Sequence, residues 1–271
     1  MPLSADEISA VDRCYDALPR VAATAEQIGP FTLFLRTDPQ SFPYYARPTL
    51  GVTRPVSTAD LVAVRERQRQ AGAPETFEWV HEVCPSLLAA CREQELVVHT
   101  HPVLVLDPPV RAPMPADAEV RLLGPDDDIS TADAVAHVAF GSPGTGTGTA
   151  GVAERDAAAG GAGTRAAVLA RRIAAGTFGM AAAYDPADGP VSVGSYQCVP
   201  EGGEIVGVGT LPMARRRGLG AAVTAVLAAD LTSRGIPLVF LGASDDDVAR
   251  VYEGVGFRRI GTAYTAEPPD S

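Results

Sequence analysis

The chain contains no lysine and no asparagine. All 22 basic residues are arginine, set against 33 acidic ones, for a net charge of −11. Without lysine there is no nucleotide-hydrolysing phosphate loop, which needs Gly-x-x-x-x-Gly-Lys-Ser/Thr. A strongly acidic chain is also a poor partner for nucleic acid, because phosphate binding needs a basic surface. The excess of carboxylates serves solubility, and it would also draw cationic molecules such as amines. Both missing residues have adenine-rich codons, so a GC-rich genome accounts for their absence. Cysteine is scarce: Cys14, Cys84, Cys91 and Cys198 are scattered, with no Cys-x-x-Cys pair. Cys84 and Cys91 are spaced for one face of a helix, which points to reduced thiols in a core rather than a metal or redox site. No apolar run approaches the roughly 18 residues of a membrane span. The opening Met-Pro-Leu-Ser-Ala-Asp-Glu lacks the basic start and apolar stretch of a secretory signal. We therefore expect a cytoplasmic protein. Histidine is scarce too. His99-Thr-His101 sets two imidazoles on one strand face, but no third ligand stands at a suitable spacing, so no metal site is expected.

What is present is ample apolar material, 46% of 271 residues, enough for two domains. The most informative stretch is Gly209-Thr-Leu-Pro-Met-Ala-Arg-Arg-Arg-Gly-Leu-Gly-Ala221. A strand-like run (205–210) enters a turn on Pro212, three arginines and two glycines follow, and a helical pattern runs from Ala221 to about Ser233. Glycine lets successive N–H groups converge on one concavity, and a helix start adds unpaired donors and a positive dipole end. Such a loop suits a diphosphate, with Arg215, Arg216 and Arg217 beside it. A dinucleotide-binding loop would need Gly-x-Gly-x-x-Gly directly after the strand. Here the arginine comes first: Arg215-x-x-Gly218-x-Gly220.

That order resembles the acetyl-CoA loop of the GNAT N-acetyltransferase superfamily, Gln/Arg-x-x-Gly-x-Gly/Ala after a strand and a proline. A second segment supports it. Leu238-Val-Phe-Leu241 reads as a buried strand, residues 247–255 as a short helix, and Ala249-Arg-Val-Tyr-Glu-Gly-Val-Gly-Phe257 resembles the family's Ala-x-x-Tyr-x-x-x-Gly-Phe. The family often carries asparagine seven residues before this tyrosine; here Asp245 stands there, and the contact it would make to pantetheine is in doubt. The resemblance covers roughly residues 118–266 and implies an α+β fold, a central mixed sheet flanked by helices.

Asp107-Pro-Pro-Val-Arg-Ala-Pro-Met-Pro-Ala116 reads as an extended linker. We divide the chain into an N-terminal module (1–107), a proline-rich linker (108–117) and a catalytic GNAT domain (118–271). In the latter, a strand begins at Val120, Ile129–Phe140 is helical, and 164–175 is helical. Residues 178–184 and 191–199 form a hairpin. Residues 141–163, rich in Gly, Ala, Thr and Ser, are expected to be a mobile insertion. The N-terminal half offers strands at Phe31–Arg36, 44–51, Phe77–Val80, 96–99 and 103–106. Its helices are 58–71, capped by Ser57, and 85–94. This order looks like a degenerate second GNAT module, as in tandem family members. Arg54-Pro-Val-Ser-Thr stands where the loop would be, so this half should not hold a cofactor. It is expected to form one wall of a substrate cleft.

By resemblance, the backbone of Val208, Gly209, Thr210 and Leu211 would hold the pantetheine arm and thioester oxygen. Arg215, Arg216, Arg217, Gly218, Leu219, Gly220 and Ala221 would take the diphosphate, and Asp245 would lie near the tyrosine. Tyr252 would hydrogen-bond the sulfur and act as general acid, a phenol being protonated at neutral pH. For the base, Glu204 heads the motif strand, although two glycines before it also fit a solvated loop residue. His137, Tyr196, His81 and Glu82 remain candidates. No residue suggests a covalent acetyl-enzyme. The expected reaction is direct transfer from acetyl-CoA to a primary amine of a small molecule or peptide. The alternatives are an acyl-CoA-binding sensor or scaffold without transferase activity, or transfer of a longer acyl group. A homodimer is possible, but nothing in the chain fixes one.

Overall fold

The structure, a computed structural model, describes residues 5–111, 114–142 and 144–269. Contacts divide the chain into two compact units. The first comprises residues 1–103, 242–245 and 260–271, and the second 104–241 and 246–259. This differs from a division at 107 and 118. The last strand is the reason: from Ile260 onward its backbone belongs with the first unit, where residues 263–266 pair antiparallel with Val80, Trp79, Glu78 and Phe77. Among the described residues no helix is long and apolar enough to cross a membrane.

In the first unit, α1 (Ala5–Ala17) precedes the hairpin β1 (Ala23–Ile28) and β2 (Phe31–Arg36). Then come β3 (Ala46–Pro48), α2 (Thr58–Gln70), β4 (Phe77–Val80), α3 (Ser86–Glu93) and β5 (Val97–Leu106). The two short strands expected at 96–99 and 103–106 are one continuous strand. β1, β2 and β3 pair antiparallel, β3 and β4 parallel, and β4 pairs with the final strand, β11 (Phe257–Glu267). Phe31, Leu33, Leu61, Val64, Phe77, Trp79, Leu87 and Cys91 are buried in one cluster over this sheet. Ser57 caps α2 as its sequence implies: its hydroxyl accepts from the Asp60 N–H, and Asp60 accepts from the Ser57 N–H. Arg54 is spent on the Asp60 carboxylate, 2.7 Å away. All four cysteines are buried free thiols, and burial pushes the Cys91 thiol up to about 12.

The second unit holds β6 (Glu119–Leu122), α4 (Ile129–Phe140), α5 (Val152–Ala159), α6 (Gly163–Ala174), β7 (Phe178–Asp185), β8 (Gly189–Val199) and β9 (Gly202–Thr210). These are followed by α7 (Leu219–Ser233), β10 (Val239–Gly242) and α8 (Asp246–Val255). Its strands lie in the order β10-β9-β8-β7-β6, the β10/β9 pair parallel and the others antiparallel. Glycines let the helices approach. A Cβ on Gly203 would stand 2.7 Å from Leu231 of α7, and one on Gly194 would stand 2.9 Å from Val223. The proline-rich segment is fastened at its start: the Asp107 N–H donates to Gly256 O and the Arg111 N–H to Val255 O. Ala112 and Pro113, in its middle, lie outside the described residues.

The segment 141–163 is not the structureless insertion its composition suggests, although Pro143 lies outside the described residues. It contains α5, capped where Glu154 accepts from the Gly151 N–H at 2.8 Å. Arg155, 5% exposed, donates from α5 to the carbonyls of Asp188 and Pro190 at 2.6 and 2.7 Å. Alanine is the strongest helix former, and buried tertiary bonds supply what the local sequence does not advertise.

Candidate functional site

β9 outruns its parallel partner. The ladder to β10 runs through Val239↔Gly203, Phe240↔Glu204 and Leu241↔Ile205 and stops, whereas β9 continues to Thr210. From Val206 onward its β10-facing backbone groups therefore have no ladder partner, and an extended ligand could pair with them as a strand would. On the other side, Ser195 pairs with Val206 and Val193 with Gly209, so Gly207 and Val208 together oppose Gly194. This is a bulge, and Gly207 adopts φ +65°, which favours glycine. Gly209 is required for another reason: a Cβ there would lie 2.8 Å from the Ala139 methyl of α4. The Ser192 hydroxyl ties the strand end, donating to Gly209 O (3.0 Å) and lying 2.8 Å from Thr210 Oγ1.

After buried Leu211, a single 3-10 turn (Pro212–Ala214) leads into the arginines. Arg216 and Gly218 take left-handed backbone, φ +68° and +77°, and Gly218 is the N-cap of α7. The first bond back within the helix runs from the Ala222 N–H to Gly218 O. The N–H groups of Leu219, Gly220 and Ala221 therefore form the open, positive end of the helix. A Cβ on Gly220 would touch Thr210 Oγ1 at 3.6 Å, so this turn rests on the end of β9. One on Gly218 would meet nothing within 4 Å: there is open space before the helix.

The three arginines, adjacent in sequence, have three different surroundings. Arg215 is a strut. Its guanidinium donates to the carbonyls of Thr210 (3.2 Å), Gly146 (3.0 Å), Ala139 (3.0 Å) and Ser142 (2.5 Å). The Gly148 N–H adds a bond to Pro212 O, and the Met213 N–H one to Ala150 O. The segment before α5 is thus laced to the loop. Replacing Arg215 with methionine is expected to speed amide hydrogen exchange across 145–151 at least about tenfold, since bonds to charged groups contribute about 1.5–3 kcal/mol each. Unchanged exchange would mean that the backbone contacts alone hold this segment. Arg217 is paired twice, with Asp185 (3.0 Å) and Asp117 (2.8 Å). Only Arg216 has a guanidinium without hydrogen bond or ion pair among the described residues. It lines a cavity of about 360 Å³ together with Thr145, Asp247, Arg250 and Val251.

Tyr252 lies on α8, 7% exposed, its ring edge-on to Phe257 with centroids 6.4 Å apart. Glu204 is not a solvated loop residue. It sits within β9, 8% exposed, opposite Phe240 of β10 and Gln197 of β8, and the Gln197 amide donates to it at 2.9 Å. Burial pushes its carboxyl up to about 7. The preceding Gly203 serves packing, because Leu231 fills the place of any side chain there.

Most of the other candidates are otherwise engaged. Tyr196 donates to Asp230 at 2.5 Å and accepts from Arg234; burial first, then Asp230, raises its pKa above the usual phenol range. His137 is exposed on α4. In the first unit, the Glu82 carboxylate accepts from the Thr262 N–H and His81 packs edge-on against Tyr264. His101 is held between Ala243 O and Thr265 Oγ1, and burial depresses its pKa; His99 faces Glu267 at 3.3 Å. Asp245 is exposed, accepts from the Ser244 hydroxyl and is counted with the first unit. Sequence reading singled out neither Gln197 nor Arg250. Arg250 occupies a variable position inside the second motif, and no pattern marks Gln197 as the partner of Glu204.

Residues 196–266 match the model of the FR47-like protein family. The fold is shared over nearly the whole chain with a GCN5-related N-acetyltransferase from Kribbella flavida. The TM-score is 0.71 and the identity 20%, with 97% of this chain and 96% of that one covered. It is shared less closely with a GCN5-related N-acetyltransferase from Sphaerobacter thermophilus (TM-score 0.54, 16% identity, 98% and 93% covered). A tandem GNAT protein from the clavulanic acid biosynthesis pathway is also similar (TM-score 0.52, 15% identity, 84% and 76% covered). No curated protein matches the chain.

Proposed function

We propose, from the premise that this chain belongs by fold to the GNAT superfamily, that it is an acyl-CoA-dependent acyltransferase that moves an acetyl group from acetyl-CoA to a primary amine. One observation carries the reading. The unpaired edge of β9 beyond Ile205 leads straight to an open helix end at Gly218, with Tyr252 on the next helix of the same unit. An extended arm, a diphosphate and a leaving sulfur are the three parts of coenzyme A that such a succession fits.

Val208, Gly209, Thr210 and Leu211 would hold the pantetheine arm through backbone groups. The N–H groups at the start of α7 would hold the diphosphate. Arg215 and Arg217 support the loop from behind, through the carbonyls and carboxylates they already bind. Glu204 would accept the amine's proton through water, since about three strand residues, or about 10 Å, separate it from the bulge. The amine nitrogen then bonds to the acyl carbon as the carbon–sulfur bond breaks, and Tyr252 would give its phenolic proton to the departing sulfur. The first unit, whose Arg54 is committed to Asp60, would be a degenerate module without a donor site of its own. The fold shared with a tandem GNAT protein supports this arrangement.

Calorimetric titration with acetyl-CoA, free CoA and a longer acyl-CoA tests the reading, followed by release of CoA in the presence of amines. Gly218→Val is expected to weaken CoA binding roughly 100-fold. A side chain at φ +77° is strained by about 1–2 kcal/mol and would occupy the open space before the helix. Undiminished affinity in that variant would displace the diphosphate from this loop. No binding of any of the three ligands would sink the reading.

A further inference from the structure

We propose that the proline-rich segment clamps the carboxyl end of α8, and that the Arg111 N–H and Gly256 thereby position Tyr252 for proton transfer. The inference rests on the acyltransferase reading and adds two positioning residues to it. α8 has ten residues and ends Tyr252-Glu-Gly-Val255, with Gly256 directly after it. Helices this short are marginal alone, and only proline is a poorer helix former than glycine. Gly254 and Gly256 thus leave the last turn weak just where it carries Tyr252. Ala249, Tyr252 and Val255 form the buried face of the helix at three-residue spacing. A shift of the Val255 backbone is therefore passed to the tyrosine on the same face.

The last carbonyls of a helix need donors from outside it. At α8 the proline-rich segment supplies them: the Arg111 N–H donates to Val255 O at 2.7 Å and the Asp107 N–H to Gly256 O at 2.9 Å. Between these two bonds the segment closes over Gly256. A Cβ there would stand 3.0 Å from Pro109 O, 3.6 Å from Asp107 O and 3.9 Å from the Arg111 nitrogen. Gly256 also takes φ +114°, which favours glycine. Asp107, Pro108, Pro109 and Arg111 are themselves exposed, so burial does not account for this fit. A mere spacer of such composition would be extended and solvated. Beyond the clamp, Phe257 holds the Tyr252 ring edge-on, so the tyrosine is fixed from both sides of Gly256. A phenol that protonates a departing sulfur must stay within hydrogen-bond reach of it.

Arg111→Pro tests this, because it removes the N–H that Val255 O accepts and alters only an exposed position. It is expected to lower kcat about tenfold to hundredfold, with acetyl-CoA affinity by calorimetry unchanged. Arg111→Ala keeps the N–H and should restore the rate. Gly256→Ala should show the same loss by displacing Pro109; if that variant fails to fold, Arg111→Pro decides alone. Turnover is read as CoA release from acetyl-CoA with the fastest primary amine of the screen. The discriminating step is a cycle with Tyr252→Phe. In that background Arg111→Pro should have no further effect, because the hydroxyl it misplaces is gone. An equal fractional loss in both backgrounds would make the segment a general support of the fold and overturn this proposal alone. Full kcat in Tyr252→Phe would overturn it together with the acid role. Amide hydrogen exchange gives a readout that needs no substrate: Arg111→Pro should speed exchange across 252–257 at least about tenfold. Unchanged exchange would overturn the clamp whatever the turnover assay gives.

Discussion

Replacing Tyr252 with phenylalanine is expected to lower kcat by about 10²- to 10⁴-fold, with little change in the KM for acetyl-CoA. Phenylalanine keeps the ring and so keeps its edge-on contact with Phe257; only the hydroxyl is lost. The side chain is 7% exposed, close enough to solvent that the change leaves no large void. Loss of kcat at constant KM is the signature of an interaction made in the transition state rather than in binding. The measurement is steady-state release of CoA with an active amine, paired with calorimetry of acetyl-CoA on both proteins. Equal kcat values would remove Tyr252 from the chemistry. Intact acetyl-CoA affinity without turnover of any amine by the wild type would favour the sensor or scaffold instead.

What was legible in the sequence is what is decided locally. Gly207 and Gly218 occupy left-handed backbone, and Gly209 lies under Ala139, so the geometry of the loop is written into its own residues. The boundaries of α8 and the hairpin β7–β8 follow for similar reasons, from short-range periodicity and turn residues. What was illegible is decided by distant partners. Arg215, Arg216 and Arg217 look alike in sequence. Their roles are separated by Ala139, Ser142 and Gly146 for the first, and by Asp117 and Asp185 for the third. The segment 141–163 reads as a loose insertion because Gly and Ala carry no hydrophobic period, yet Arg155 and the Gly148 N–H anchor it to residues far along the chain. Likewise the division into units turns on β11 pairing with β4, a contact between residues nearly two hundred positions apart.

Glu204 shows why such distant partners matter for chemistry, and its replacement by glutamine carries the other large expected effect. Glutamine is the same size, and its carbonyl can still accept from the Gln197 amide, so β9 should be undisturbed. If Glu204 takes the amine's proton, kcat/KM should fall about 10²- to 10⁴-fold. In the wild type the rate should rise with pH through about 7 and level above it, because a base works only when ionised. The variant should lack that limb. Stability supplies an independent readout of opposite sign. The carboxyl titrates near 4.5 when unfolded and near 7 when folded, so between those values the folded protein holds the extra proton. Stability therefore falls as pH rises from 4.5 to 7 and is flat on either side, a loss on the order of 3 kcal/mol. Glu204→Gln should remove this slope and be the more stable protein at pH 8, as measured by denaturant unfolding at pH 5 and 8. A variant that gains stability at pH 8 and keeps its full rate would make Glu204 a buried acid without a part in the reaction, and the base would have to be sought elsewhere. A variant that loses both the slope and the rate would tie the cost of burying this carboxylate to the proton transfer it serves.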